Sequence, residues 1–198
     1  MAVLGGSVDP AGQSPVPDTL KIVVAGGFGA GKTTLVSALS EVESLHTEEV
    51  MTSESVGVDD LGGVEGKSTT TVALDFGRVT LDASTVVYLF GTPGQRRFAF
   101  MWEELAQGAL GAVVLADTRR LADSFDVIDF FESRGVPFVV AVNCFDGQRT
   151  HRAEDVRVAL DVAEGVPVLL CDARERESVK EVVVELVSLV LRLELSGA

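Results

Sequence analysis

The run Gly26-Gly27-Phe28-Gly29-Ala30-Gly31-Lys32-Thr33-Thr34 constrains this chain more than any other stretch. Gly26, Gly31, Lys32 and Thr33 satisfy the spacing G-x-x-x-x-G-K-[ST], in which small residues let consecutive backbone N–H groups turn around a polyanion. The preceding Leu20-Lys21-Ile22-Val23-Val24-Ala25 reads as a buried strand, and the residues from Thr33 to Ser40 read as a helix. That order points the positive end of the helix dipole at bound phosphate. Lys32 supplies a mobile charge to the outer phosphates, and the Thr33 hydroxyl is placed to ligate Mg²⁺. A nucleoside triphosphate is the ligand these residues imply.

The 198 residues suffice for one α/β domain with a sizeable core. Although 46% of them are hydrophobic, no apolar run approaches 18 residues, so the excess is expected in buried strands of a soluble protein. Thirty acidic against 16 basic residues leave a net charge of −14, which opposes binding to nucleic acid or to anionic lipid. The N-terminus has no basic segment followed by an apolar core, and the two cysteines, Cys144 and Cys171, are few, so a reducing cytoplasm is expected. Neither end carries a lipidation motif, and direct membrane insertion is not expected; membrane attachment would need a partner.

Residues 1–19 are rich in Gly, Ser and Pro and predict a disordered tail ahead of a single domain at 20–198. The acidic stretch from about Glu43 to Ser68 is long for a loop in a compact domain, which suggests a functional or mobile segment. Strands are expected near Thr70 to Leu81 and Thr85 to Phe90, joined at Asp82-Ala83-Ser84 as an antiparallel hairpin. Further strands start at Gly111, Pro137 and Pro167, separated by helical periods. Leu121, Phe125, Ile128 and Phe131 would form the apolar face of one helix, and Val179, Val182, Val183, Leu186, Val187 and Val190 that of the last. The expected fold class is α/β, a P-loop NTPase three-layer sandwich. It has a six-stranded, mostly parallel sheet with one antiparallel edge hairpin, helices on both faces and ligands at the strands' carboxyl ends.

Residues at the later strand ends sharpen the ligand. Gly91-Thr92-Pro93-Gly94-Gln95 resembles the Asp-x-x-Gly-Gln element of Ras-like GTPases, in which the Gly94 N–H would sense the γ-phosphate and Gln95 would orient the attacking water. Asn143-Cys144-Phe145-Asp146 resembles the guanine-specifying Asn-Lys-x-Asp element. Its Asp146 has the acceptor pair that N1–H and the 2-amino group of guanine require. Cys171-Asp172-Ala173 stands where that superfamily places its Ser-Ala-Lys loop, whose alanine N–H meets guanine O6.

Over residues 20–193, and most closely in the runs Thr69 to Gly77 and Leu89 to Phe98, the chain resembles the small bacterial GTPases of actinobacterial conservons, the CvnD class, and is similar to MglA-type proteins. The resemblance implies that Thr71, with Thr70 as the adjacent alternative, closes over Mg²⁺ and the γ-phosphate. It further implies a roadblock-fold partner and a sensor-kinase-like membrane protein within a signalling complex.

The pattern departs from the family at three places. Gly91 stands where a metal-associated aspartate is usual, and Asp117, or Asp59 and Asp60, could replace it; capping or solvent-facing roles are open to the same residues. Cys144 replaces the lysine whose stem packs along guanine. Thr70 lies where MglA-type proteins present an arginine, and Arg96 and Arg97 could contribute or be surface residues, so slow unassisted hydrolysis is expected. Phe98, Phe100 and Trp102 could anchor a nucleotide-dependent partner or pack inward. Neighbouring Cys144 and Cys171 invite a redox switch but read equally as small reduced core residues. The function expected is a slow GTP-hydrolysing switch. A nucleotide-binding adaptor with little hydrolysis, or a P-loop kinase or ATPase, are the alternatives.

Overall fold

The computed structural model describes residues 17–43, 45–51 and 70–197, with the side chains of 45–51, 70–73 and 96 outside that description. The expected tail up to residue 16, Asp59 and Asp60, and the side chains of Thr70 and Thr71 therefore lie outside the described residues.

Seven strands form one sheet: β1 (Asp18–Gly26), β2 (Leu45–Met51), β3 (Thr70–Asp82), β4 (Thr85–Gly91), β5 (Gly111–Ala116), β6 (Phe138–Asn143) and β7 (Val168–Cys171). Their order is β2-β3-β4-β1-β5-β6-β7. The five strands from β4 to β7 run parallel, whereas β3 is antiparallel to both β4 and β2. The mostly parallel sheet with its antiparallel edge hairpin is thus as expected, and β2 adds a seventh strand. It lies in the acidic stretch read as a loop, where His46, Glu48 and Glu49 break the apolar pattern that marks a strand. Pairing at the sheet edge with β3, which is itself 13 residues long, supplies what the local sequence does not advertise.

Alternation along the central strands explains the three layers. Ile22, Val24, Val113, Leu115, Val139 and Ala141 pack on one face against α1 (Lys32–Leu39) and α5 (Arg176–Ser196). Val23, Ala25, Ala112, Val114, Val140 and Val142 pack on the other against α2 (Met101–Ala106), α3 (Phe125–Arg134) and α4 (Ala153–Leu160). All six residues of β5 are buried, which is why it reads as an unbroken apolar run. Each buried Val, Leu or Ile side chain among them contributes roughly 1.5–3 kcal/mol on burial.

The hairpin turn closes as expected, with the Ser84 N–H and hydroxyl both donating to Asp82 Oδ1 at 2.7 Å. The helix expected from Leu121 begins only at Phe125. Residues 118–124 wind more tightly, with the Asp117 carboxylate accepting from the Arg119 N–H, so Ile128 and Phe131 are buried while Phe125 is exposed. In α5 the buried stripe includes Leu189, and Val187 is half-buried. No helix among the described residues is long and apolar enough to cross a membrane. The parallel strands all end on one edge of the sheet, which gathers Gly26, Gly91, Asn143 and Cys171 there.

Candidate functional site

The loop between β1 and α1 is the centre of the site. Gly31 caps α1 at φ 106°, and a Cβ there would stand 2.6 Å from Asn143 Nδ2, so both conformation and space require glycine. Lys32 is buried, its Nζ donating to the carbonyls of Gly26 (2.9 Å) and Gly27 (2.8 Å). Burial pushes its ammonium down to about 8, against the opposing pull of the Asp75 carboxylate. Gly94 crosses above, where a Cβ would be 2.6 Å from Lys32 Nζ and 2.8 Å from Phe28 Cα.

Thr33 Oγ1 donates a 2.6 Å hydrogen bond to Asp75 Oδ2. Asp75 lies on β3 directly opposite Gly91 on β4, and a Cβ on Gly91 would be 2.8 Å from Asp75 Cβ. The carboxylate absent at position 91 is therefore matched by one arriving from the neighbouring strand. Asp117, one of the expected replacements, is instead committed to Arg119, whose Nε and NH2 reach its two oxygens at 2.9 and 2.8 Å and hold it below the usual carboxylate range. The other two, Asp59 and Asp60, lie outside the described residues.

A cavity of about 420 Å³ runs from Gly29, Gly31 and Thr34 past Lys32, Thr33 and Asp75 to Thr92, Gly94 and Gln95. Buried Thr92 Oγ1 has no hydrogen-bond partner among the described residues. The oxygens of Thr33, Asp75 and Thr92 all line this cavity and are of the hard kind that suits Mg²⁺, as direct ligands or through bound water, when phosphates complete its shell. Among the described residues no group of three or more His, Cys, Asp or Glu could hold a metal without such help.

Asn143 joins this cavity to a second. Its Nδ2 donates to the Ala30 carbonyl at 2.9 Å, and its Oδ1 accepts from the Ala173 N–H at 3.2 Å. Beside it, Gly31, Thr34, Phe145, Asp146, Ala173 and Arg174 line a space of about 140 Å³. Asp146 adopts φ 56°, a left-handed conformation that aspartate tolerates, and its exposed carboxylate accepts from Arg174 NH1 at 3.0 Å. The Phe145 ring is covered by the Arg119 guanidinium, 3.6 Å from its centroid. Cys144 and Cys171 are both buried, and the Cys144 N–H donates to the Cys171 carbonyl at 2.6 Å. Cys171 borders an adjoining cavity with Arg149 and Glu175, which shares Asp146, Asp172 and Arg174 with the space beside Asn143. Of the aromatics after Gln95, Trp102 and Phe98 are buried and Phe100 is exposed, while Arg97 lies over the Phe98 ring.

Three contributors escaped sequence reading. Asp75 is signalled only by strand register, which puts it across from Gly91. Thr92 falls on an unspecified position of the Asp-x-x-Gly-Gln pattern, which gives it no role. Arg174 falls one residue beyond the triplet Cys171-Asp172-Ala173; centring that triplet on Ala173, whose N–H meets Asn143, would have included it.

A family model described as "Conserved hypothetical ATP binding protein" matches residues 24–192. An uncharacterized protein of Methanocaldococcus jannaschii is 33% identical over 131 residues, 65% of this chain and 72% of the relative. Among solved structures, the G domain of the T. maritima FeoB iron transporter superposes with a TM-score of 0.58 at 19% identity, covering 86% of this chain and 99% of that one. The apo form of the FeoB cytosolic domain gives 0.61 at 18% identity, covering 87% of this chain; this chain spans 64% of that longer domain. At such identities the likeness is one of fold.

Proposed function

This chain belongs to the family of conserved hypothetical ATP binding proteins, and from that premise we propose that it is a guanine-nucleotide switch that slowly hydrolyses GTP to GDP and phosphate. The observation that carries this is Asn143, which ties the phosphate loop at Ala30 to the base pocket at Ala173 with Asp146 alongside. The acceptor-only carboxylate of Asp146 suits the paired donors of guanine and opposes the ring-nitrogen acceptor of adenine, which favours GTP despite the family's description.

The loop amides and Lys32 hold the phosphates. Thr33 and Thr71 would hold Mg²⁺, with Asp75 orienting the Thr33 hydroxyl through their hydrogen bond. When bound, the ion neutralises charge on the phosphate oxygens. Gln95 orients a water for in-line attack on the γ-phosphorus; the bond to the β,γ-bridging oxygen breaks, and GDP and phosphate leave. Catalysis is positioning plus charge stabilisation. The domain extends to residue 198 and starts two residues ahead of the expected boundary at 20, because Asp18 and Thr19, read as the end of a tail, pair with Thr85 and Val86 in β1. Its resemblance to conservon GTPases supports a cytoplasmic protein recruited to a membrane by a roadblock-fold partner and a sensor-kinase-like protein.

The test is to identify the nucleotide that co-purifies, compare displacement of labelled GDP by GTP and ATP, and follow phosphate release with Mg²⁺. GTP-selective displacement and release faster than in Gln95→Leu support the switch. Equal displacement by ATP points to an ATPase or kinase, and GTP-selective binding with release no faster than in Gln95→Leu, with or without a roadblock protein, points to the adaptor.

A further inference from the structure

The base pocket contains a cation fixed in an unusual way. Arg174 binds both oxygens of Asp172, through Nε at 3.0 Å and NH2 at 2.8 Å, and places NH1 3.0 Å from Asp146 Oδ1. Asp172 also accepts from the Arg174 backbone N–H at 3.1 Å and is itself mostly buried, so the guanidinium plane is set from both ends. A guanidinium has five N–H donors; three are engaged among the described residues, which leaves one on each terminal nitrogen.

Two other donors of the pocket are committed elsewhere. The Ala173 N–H faces Asn143 Oδ1, and Asn143 Nδ2 faces the Ala30 carbonyl. Guanine presents two adjacent acceptors, O6 and N7, next to two donors, N1–H and the 2-amino group. A carboxylate can answer only the donor half, whereas the end of an arginine fork matches O6 and N7. Adenine offers an amino donor where guanine has O6, which would set donor against donor.

We propose that Arg174 and Asp146 read guanine as a joined pair, Arg174 donating to O6 and N7 while Asp146 accepts from N1–H and the 2-amino group. This rests on the guanine-nucleotide function proposed for the site. Asp172 is the positioning residue that holds the fork, and the Asp146–Arg174 contact keeps the two readers in register before a base arrives.

The experiment measures affinities of the full chain for GDP, 7-deaza-GDP, which lacks the N7 acceptor, and ADP, in the wild type, Arg174→Ala and Arg174→Lys. Wild type binds GDP several-fold tighter than 7-deaza-GDP. Arg174→Ala weakens GDP by roughly 5- to 150-fold, the range of a bidentate arginine–guanine pair, weakens 7-deaza-GDP much less, and narrows the preference over ADP. Arg174→Lys, which keeps the charge but not the fork, does not restore it. Equal losses for GDP and 7-deaza-GDP, or no loss, overturn the role of Arg174 while leaving guanine binding intact. A wild type that binds ADP as tightly as GDP overturns both. The wild-type comparison of GDP with 7-deaza-GDP needs no variant to fold, and equal affinities there overturn the proposal by themselves.

Discussion

Asp75 and Gly91 face each other across the β3–β4 pair so closely that a Cβ on Gly91 would lie 2.8 Å from Asp75 Cβ. The space that a side chain at position 91 would need is taken by Asp75, whose carboxylate accepts a hydrogen bond from the Thr33 hydroxyl at 2.6 Å. Loss of a side chain on one strand and gain of a carboxylate on its neighbour are therefore two sides of one packing arrangement.

Removing the Asp75 carboxylate should lower Mg²⁺ affinity of the nucleotide-bound protein by about 10- to 100-fold, the usual effect of losing a group that orients a metal's ligands. In Asp75→Ala, GDP release in Mg²⁺ is expected to approach the rate seen after chelation, measured by fluorescence decay of a labelled nucleotide. Gly91→Asp alone should be destabilised by overlap with Asp75, and Asp75→Gly with Gly91→Asp should recover part of the metal dependence. Wild-type metal dependence in Asp75→Ala would remove Asp75 from the site.

Lys32 gives the site a pH signature. Burial holds its ammonium near 8, well below an ordinary lysine, so it is charged below that pH and loses its proton as pH climbs through it. Bound phosphate favours the charged form, so above about pH 8 binding takes up a proton and nucleotide affinity falls, by at most about tenfold per pH unit. Folding responds oppositely: the charged, buried amine opposes the native state below pH 8, and that penalty is relieved between about 8 and the ordinary lysine value of 10.5. Calorimetry in buffers of different ionisation enthalpy at pH 8.5 should register the proton uptake, and Lys32→Met should lack it.

The phosphate loop and the parallel core were legible because each is a local pattern. Gly26 to Thr34 is one contiguous motif, and buried strands such as Gly111–Ala116 are unbroken apolar runs. What escaped depends on pairing between distant segments. Leu45–Met51 has no apolar alternation to mark it, and Asp75 meets Thr33 only through sheet order and register 42 residues away. Arg174 meets Asp146 because β6 and β7 are neighbours, which no spacing within either loop encodes.

Trp102 is a core residue in this fold, stacked edge-on against Phe130 with ring centroids 5.5 Å apart. Trp102→Ala should destabilise the domain by about 3–5 kcal/mol in urea titration, the range for deleting a large buried aromatic. Its Nε1 has no hydrogen-bond partner among the described residues, so Trp102→Phe, which removes that donor, should lose clearly less. Partner anchoring, if it occurs here, falls to Phe100, 57% exposed, whose replacement by Ala should leave stability nearly unchanged.

Cys144 and Cys171 lie on adjacent strand ends, yet their chemistry opposes a thiol switch. Burial pushes the Cys171 thiol up to about 11 and raises Cys144 as well, so at neutral pH both are held as thiols while the thiolate is the reactive form. The contact between the two residues is a backbone one, from the Cys144 N–H to the Cys171 carbonyl, with Cys144 Sγ donating instead to the Val142 carbonyl at 3.7 Å. Iodoacetamide at pH 7.5 should therefore leave both cysteines unmodified over the time in which urea-unfolded protein is fully alkylated. Mass spectrometry that found either residue modified at the unfolded rate in the native protein would restore a redox role.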